Sequence, residues 1–279
     1  MGTVYRARDE VLHRDVALKV VGAVVSSPGL DERLLEEART LARLEHPGVV
    51  PVHDGGMLAD GRAFYVMKLV KGTGLQAHFG SLTRLDERLR LFERLCEPLA
   101  FAHAHGIVHR DLKPANVMVG GFGEVLVLDW GLSAQAGSTA GSERAGTPGF
   151  MPPEQQTGGP ADPRADVYAL GALLAGMLTG DDPAGIADLD GALSRAHVAA
   201  PLRAICSKAM AASPDDRYAD AGELADDVAR WRAGLPVRAY REGPLERLGR
   251  LYARHRVPIL LVAAYLVMRA LVAWYTARG

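Results

Sequence analysis

Apolar residues fall into two regimes along the chain. Up to about residue 70 they form short strand-like runs, DVALKVV (15–21) and RAFYVMKLV (62–70), the second a buried-strand pattern. Between them, DERLLEEARTLARL (31–44) puts Leu34, Ala38 and Leu41 at helical spacing, with Asp31 as N-cap and HPG (46–48) as the stop. From residue 85 the spacing turns helical, with Leu85, Leu89, Phe92, Cys96 and Leu99 in register. NVMVG (116–120) and VLVLD (125–129) are two further short strands, and 132–160 is a long Gly-, Ser-, Thr-, Ala- and Pro-rich loop. Loops of that length inside compact domains are usually functional or disordered. DVYALGALLAGMLTG (166–180) is a buried helix ended by Gly180, helices continue to about Ala233, and GLPVRAYREGP (234–244) is a linker. No internal repeat is visible.

The pattern changes once more near the end. RLGRLYARHR (247–256) is basic, and VPILLVAAYLVMRALVAWY (257–275) is apolar except for Arg269. That length is enough for one helical pass of a bilayer. Arg269 lies past the centre and can snorkel, Trp274 and Tyr275 suit an interface, and the preceding arginines would keep the N-terminal part cytoplasmic. The alternative is an amphipathic or buried C-terminal helix, but the polar face of an interfacial helix is missing. The expectation is a single-pass protein of the cell membrane. Homodimer contact in the membrane stays open as a further partner, without a Gly-x-x-x-Gly to direct it.

Composition narrows the classes. The 279 residues are 48% hydrophobic and 23% charged with net charge -1, an ordinary globular balance without the basic excess of a nucleic-acid binder. Cys96 and Cys206 are far apart and read as core thiols in a reducing compartment. The opening residues lack the build of a signal peptide, and Arg6 stands where myristoylation at Gly2 needs Ser or Thr. The other histidines have no metal-like spacing.

The sharpest chemistry lies in HRDLKPANVMV (109–119). An aspartate that takes a proton from a hydroxyl needs a fixed loop, a nearby cation and a metal ligand in reach, and this stretch supplies all three. It resembles the catalytic loop of protein kinases, H-R-D-L-x-x-x-N. VALK (16–19), LDWGL (128–132), AGTPGFMPPEQ (145–155), DVYALG (166–171) and PDDRY (214–218) follow the family in order, over about residues 1–234. The chain is most similar to bacterial serine/threonine protein kinases of eukaryotic type.

The resemblance implies an α+β, two-lobed protein kinase-like fold. It has a β-rich N-lobe (1–70), a helical C-lobe (71–234), a basic juxtamembrane linker (235–256) and a C-terminal transmembrane helix (257–275). It implies ATP and Mg²⁺ as cofactors and a protein Ser or Thr as acceptor. Asp111 would orient the hydroxyl and accept its proton, Lys113 would neutralise the transferred phosphate, and Asn116 and Asp129 would hold Mg²⁺. Lys19 would grip the α- and β-phosphates, paired with Glu37. Gly2 and Val4 would end the Gly-rich loop, Val4 and Ala17 would cover adenine, and Met118 would lie below it. Met67 would be the gatekeeper, with Lys68, Leu69 and Val70 as the hinge. Trp130 stands where the family has Phe. Glu154 would pair with Arg217, and Asp166 would hold the catalytic-loop backbone. An exposed Arg110 implies control by a phosphorylated loop residue, with Ser138, Thr139, Ser142 and Thr147 as candidates.

Aligned by Val4, Gly2 is the last glycine of G-x-G-x-x-G-x-V, and the first two glycines and much of the first strand would precede Met1. Two functions are thus weighed: an active serine/threonine kinase, and a truncated kinase-like scaffold with weak or no ATP turnover.

Overall fold

The computed structural model describes residues 2–21, 30–79, 82–138, 146–181 and 188–276, with the side chains of the last helix described only in part. The N-terminal lobe is a four-stranded antiparallel sheet. Its strands are β1 (Gly2–Asp9), β2 (Arg14–Val21), β3 (Val52–Met57) and β4 (Ala63–Lys68), in the order β1-β2-β4-β3. β1 pairs with β2 along its whole length, from Gly2 opposite Val21 to Asp9 opposite Arg14. The β2–β4 register sets Ala17 opposite Met67 and Lys19 opposite Tyr65.

α1 (Leu30–Arg43) lies against this sheet and buries Leu34, Glu37, Ala38 and Leu41. That spacing is one helical face, and Glu37 is its single charge. The Asp31 carboxylate accepts from the Ala63 N–H at 2.7 Å, tying the first turn of α1 to β4. After α1 the chain crosses to the other lobe. The Gly48 carbonyl accepts from Val127 N–H at 2.8 Å, and Val49 makes a parallel bridge with Val127. A Cβ on Gly48 would lie 2.9 Å from the Pro98 ring, so only glycine lets this crossing approach the next lobe so closely.

The C-terminal lobe is helical. β5 (Gly72–Gly74) and the single turn α2 (Gln76–Phe79) lead into α3 (Leu85–Ala104). β6 (Ile107–Val108), β7 (Val117–Gly120), β8 (Val125–Val127) and β9 (Ala134–Gln135) follow. They form two small sheets, β5-β7-β8 and β6-β9, on which the site rests. α4 (Pro153–Gln156), α5 (Pro163–Thr179), α6 (Leu189–Arg195), α7 (Ala200–Ala209) and α8 (Ala221–Arg232) complete the lobe. α5 is its central element, capped by the Asp162 carboxylate on Arg164 N–H and ended by Gly180 at φ 84°. It is buried nearly all round, the signature of a helix at the centre of a helical lobe. A Cβ on Gly171 would meet the Ala209 Cβ at 2.7 Å, so this glycine sets the approach of α5 and α7.

The linker is partly docked. Asp227 on α8 is fully buried and accepts from the Arg238 and Ala239 N–H groups and from the Tyr218 hydroxyl. Val237 is buried there as well, so the chain stays on the C-lobe past 235. α9 (Pro244–Thr276) is one continuous helix. Among the described residues no helix is long and apolar enough to cross a membrane, so the span expected over 257–275 is not shown. The side chains of 257–259, 263 and 275 lie outside the described residues.

Candidate active site

Between the lobes lies a cleft of about 560 Å³. Gly2, Val4 and Ala17 line its N-lobe wall, and Met67, Lys68, Leu69 and Val70 its back edge. Asn116, Met118 and Asp129 form the floor, with Asp111 at the mouth and Lys19 and Glu37 inside. The Lys68 N–H donates to Pro51 O at 3.1 Å, bracing the segment that joins the lobes. Every residue read from the sequence as binding the nucleotide or metal therefore borders one cavity. Lys113 is the exception among the site residues: it is not part of the cleft wall but reaches Asp111 from the side.

Lys19 and Glu37 form a close pair, with Nζ 2.7 and 2.8 Å from the two carboxylate oxygens. Asp129 Oδ1 lies 3.0 Å from the same Nζ. The Glu37 side chain is only 4% exposed, whereas that of Asp129 is 46% exposed. Burial alone would lower the Lys19 ammonium, but Glu37 and then Asp129 outweigh it and hold it above its ordinary value. For Glu37 burial wins over Lys19, and the Asp129 charge adds to it, so its carboxyl sits above the ordinary 4.5. Asp129 goes the other way: burial opposes, but Lys19 holds its carboxyl below the usual range.

The second cluster surrounds Asp111, with Lys113 Nζ at 2.7 Å from Oδ2 and the Thr147 hydroxyl donating to Oδ1 at 3.0 Å. Lys113 also donates to Thr147 at 2.9 Å. Asn116 Nδ2 donates to the Asp111 carbonyl at 2.7 Å, which commits the amide nitrogen, so the amide oxygen is the atom that could coordinate a cation. Among the described residues there is no group of three or more His, Cys, Asp or Glu that could hold a metal. That fits Mg²⁺, which is bound by one or two protein oxygens plus waters and phosphates. Asp129 and Asn116, which both border the cleft, could supply such a pair.

The loop is held from below by Asp166. Its carboxylate, fully buried at the start of α5, accepts from His109 N–H at 2.8 Å and Arg110 N–H at 2.9 Å. His103 Nε2 lies 2.9 Å from the same group, and its Nδ1 accepts from Ala221 N–H. His109 Nε2 donates to Leu128 O at 3.0 Å, linking the loop to the residue before Asp129. Arg110 and Asp129 both have positive φ, 70° and 55°, a backbone cost of about 1–2 kcal/mol each that the surrounding bonds must hold.

Two expectations change, those for Arg110 and Thr147. Arg110 is not exposed: it is 8% accessible, and Gln155 Nε2 donates to its carbonyl at 2.7 Å. Thr147 is part of the Asp111 cluster. Thr139 and Ser142 lie outside the described residues. Trp130 is fully buried, donating to Val127 O at 3.3 Å with its ring 4.8 Å from that of His109. The sequence reading did not single out Tyr65, whose hydroxyl donates to Glu37 Oε1 at 2.9 Å. A tyrosine between Phe64 and Val66 in a buried-strand pattern was the available signal.

Comparison with known proteins agrees with this geometry. The family described as "Protein kinase domain" matches residues 1–227. The serine/threonine-protein kinase PknB of Mycobacterium leprae is 35% identical over 263 residues, 86% of this chain and 42% of its own length. The DNA damage-responsive serine/threonine-protein kinase RqkA of Deinococcus radiodurans is 42% identical over 215 residues, 71% of this chain and 31% of its own. The chain thus spans less than half the length of these relatives. The crystal structure of the Mycobacterium tuberculosis PknI kinase domain superposes with a TM-score of 0.65 at 28% identity, covering 82% of this chain and 90% of that one. With the two lobes, the paired Lys19 and Glu37, and the Asp111 loop in place, the chain belongs to the protein kinase family, among the bacterial serine/threonine kinases.

Proposed function

We propose that the chain is an active serine/threonine protein kinase, passing the γ-phosphoryl group of ATP to a hydroxyl of a protein substrate. The observation that carries this reading is the set of bonds around Asp111. A carboxylate with a cation on one oxygen and a hydroxyl on the other is oriented to take a proton from an incoming Ser or Thr. Lys113 then offsets charge developing on the transferred group, and Lys19, kept against Glu37, faces the α- and β-phosphates. Gly2, Val4, Ala17, Met67 and Met118 provide the apolar walls for adenine, and Lys68, Leu69 and Val70 its backbone edge. Asn116 and Asp129 would hold Mg²⁺, which when bound supplies positive charge to the phosphates. Catalysis here is mainly positioning and charge stabilisation.

The test is Asp111→Asn, compared with the unchanged chain for phosphate transfer to a generic protein substrate and for nucleotide binding. Transfer falls by about 10²–10⁴ while nucleotide binding stays measurable. Equal transfer by the variant would sink the assignment.

A second part of the proposal concerns α9. Its described apolar side chains from Leu260 to Trp274, Leu266 and Val267 among them, are more than half exposed. Together with the arginines at 247–256, this supports seating of 257–275 in a membrane with the kinase lobes on the cytoplasmic side. Carbonate-resistant recovery of the full chain in the membrane fraction, lost when the chain ends at 243, is the expected result. A full chain that stays in the supernatant refutes it.

A further inference from the structure

Tyr65 sits in the middle of β4, 1% exposed, with its hydroxyl 2.9 Å from Glu37 Oε1. The same oxygen receives Lys19 Nζ at 2.7 Å. Lys19 is the register partner of Tyr65 across the β2–β4 pair, and its Nζ stands 5.8 Å from the ring centre. One carboxylate oxygen on α1 is thus gripped by donors from two adjacent strands. Leucine or phenylalanine would fill this core position as well, so packing does not explain the hydroxyl. A buried phenol needs a partner, and this one is aimed at the carboxylate of the nucleotide site.

Lys19 has two competing carboxylates, Glu37 and Asp129. The Tyr65 hydroxyl donates to the first, so it favours the arrangement in which α1 stays against the sheet. We propose that Tyr65 is a positioning residue for phosphoryl transfer, its hydroxyl holding Glu37 and α1 in place so that Lys19 is presented to the nucleotide. The proposal rests on the kinase reading given above.

Lys19 from β2, Tyr65 from β4 and Asp129 from the turn after β8 are the charged or titratable groups facing Glu37. Arg33, Glu36, Arg39 and Arg43 on its own helix line the adjoining groove. Glu37 must be ionised to hold Lys19, and a donated hydrogen bond favours the ionised form. Removing the hydroxyl therefore makes Glu37 easier to protonate.

The experiment is Tyr65→Phe in the full chain, with Tyr65→Met carrying the same test should the phenylalanine chain not fold. kcat/KM for ATP falls by about ten- to a hundredfold, the worth of a hydrogen bond to a charged group. The acid limb of its pH profile moves to higher pH while the basic limb stays. A loss of activity with an unmoved acid limb makes Tyr65 a packing residue and overturns the proposal, as does kcat/KM within twofold of the unchanged chain. Amide hydrogen exchange separates this from failure of the kinase reading, because it needs no turnover. Exchange across residues 30–43 quickens in the variant while α5 is unaffected; equal exchange in both chains overturns the positioning role whether or not the protein transfers phosphate.

Discussion

Glu154→Ala probes the joint between the end of the 146–155 segment and the helices of the C-lobe. Arg217 is completely buried at its side chain, and Glu154 meets it with two parallel bonds of 2.7 and 2.8 Å. The guanidinium also donates to the carbonyls of Ala211, Arg164 and Ala212, and it stacks 5.0 Å over Tyr168. Removing the carboxylate leaves a cation in the core with backbone carbonyls only. Breaking one side of a buried pair costs about 3–5 kcal/mol, or about 6–20 °C in melting temperature for a domain of this size. Glu154→Gln keeps one acceptor oxygen and loses the charge, so it falls between the two. Pairing Glu154→Ala with Arg217→Met does not restore stability, because the three carbonyls then lose their donor. Urea unfolding followed by tryptophan fluorescence reads all of these through Trp130 and Trp231. A loss below about 1 kcal/mol for Glu154→Ala refutes the reasoning, since it would mean that the buried cation does not depend on its partner.

The Asp166 carboxyl would be pushed up by burial, but the hydrogen bond and charge of His103, then His109, hold it below the ordinary 3.8. A depressed folded value gives stability that is fully present above pH 3.8 and lost as pH falls through the folded value. Acid unfolding of Asp166→Asn therefore shows a shallower pH dependence from a lower starting stability, and parallel curves would count against it. Asp227→Ala orphans the Arg238 and Ala239 N–H groups and the Tyr218 hydroxyl, at a cost of about 2–4 kcal/mol. Limited trypsin digestion should then cut at Arg238 or Arg241 well before the unchanged chain; equal cleavage rates would show that the clip does not hold the segment.

Much of the architecture was readable in the chain. The helical face of Leu34, Ala38 and Leu41 gave α1 to within a residue at each end. The motif order brought together cleft residues as distant as Lys19 and Asp129. Local pattern did not find β3, whose VHDGGM has two glycines and little alternation, because that strand is defined by its pairing with β4. VLVLD also reads as one strand, yet the strand stops at Val127 and Asp129 turns to a positive φ toward Lys19. The docking of residues 237–239 is not legible for a similar reason: the bonds that Asp227 accepts come from eleven and twelve places on, which is not a periodic signal. Hydroxyl direction was invisible as well, which is why Tyr65 looked like one more core side chain.

The crossing at Gly48 and Val49 has a mechanical consequence. It ties the C-terminal end of α1 to β8, while Asp31 ties the other end to β4 in the opposite lobe. α1 is therefore a lever pivoted on one lobe and pulled by the other. Glu37 lies seven residues from Leu44, roughly 10 Å along the helix at about 1.5 Å per residue. A swing of about 10° about the pivot moves the carboxylate by about 2 Å, enough to part it from Lys19. A swing of α1 about this joint would carry Glu37 away from Lys19 and stretch its bond to Tyr65 at the same time.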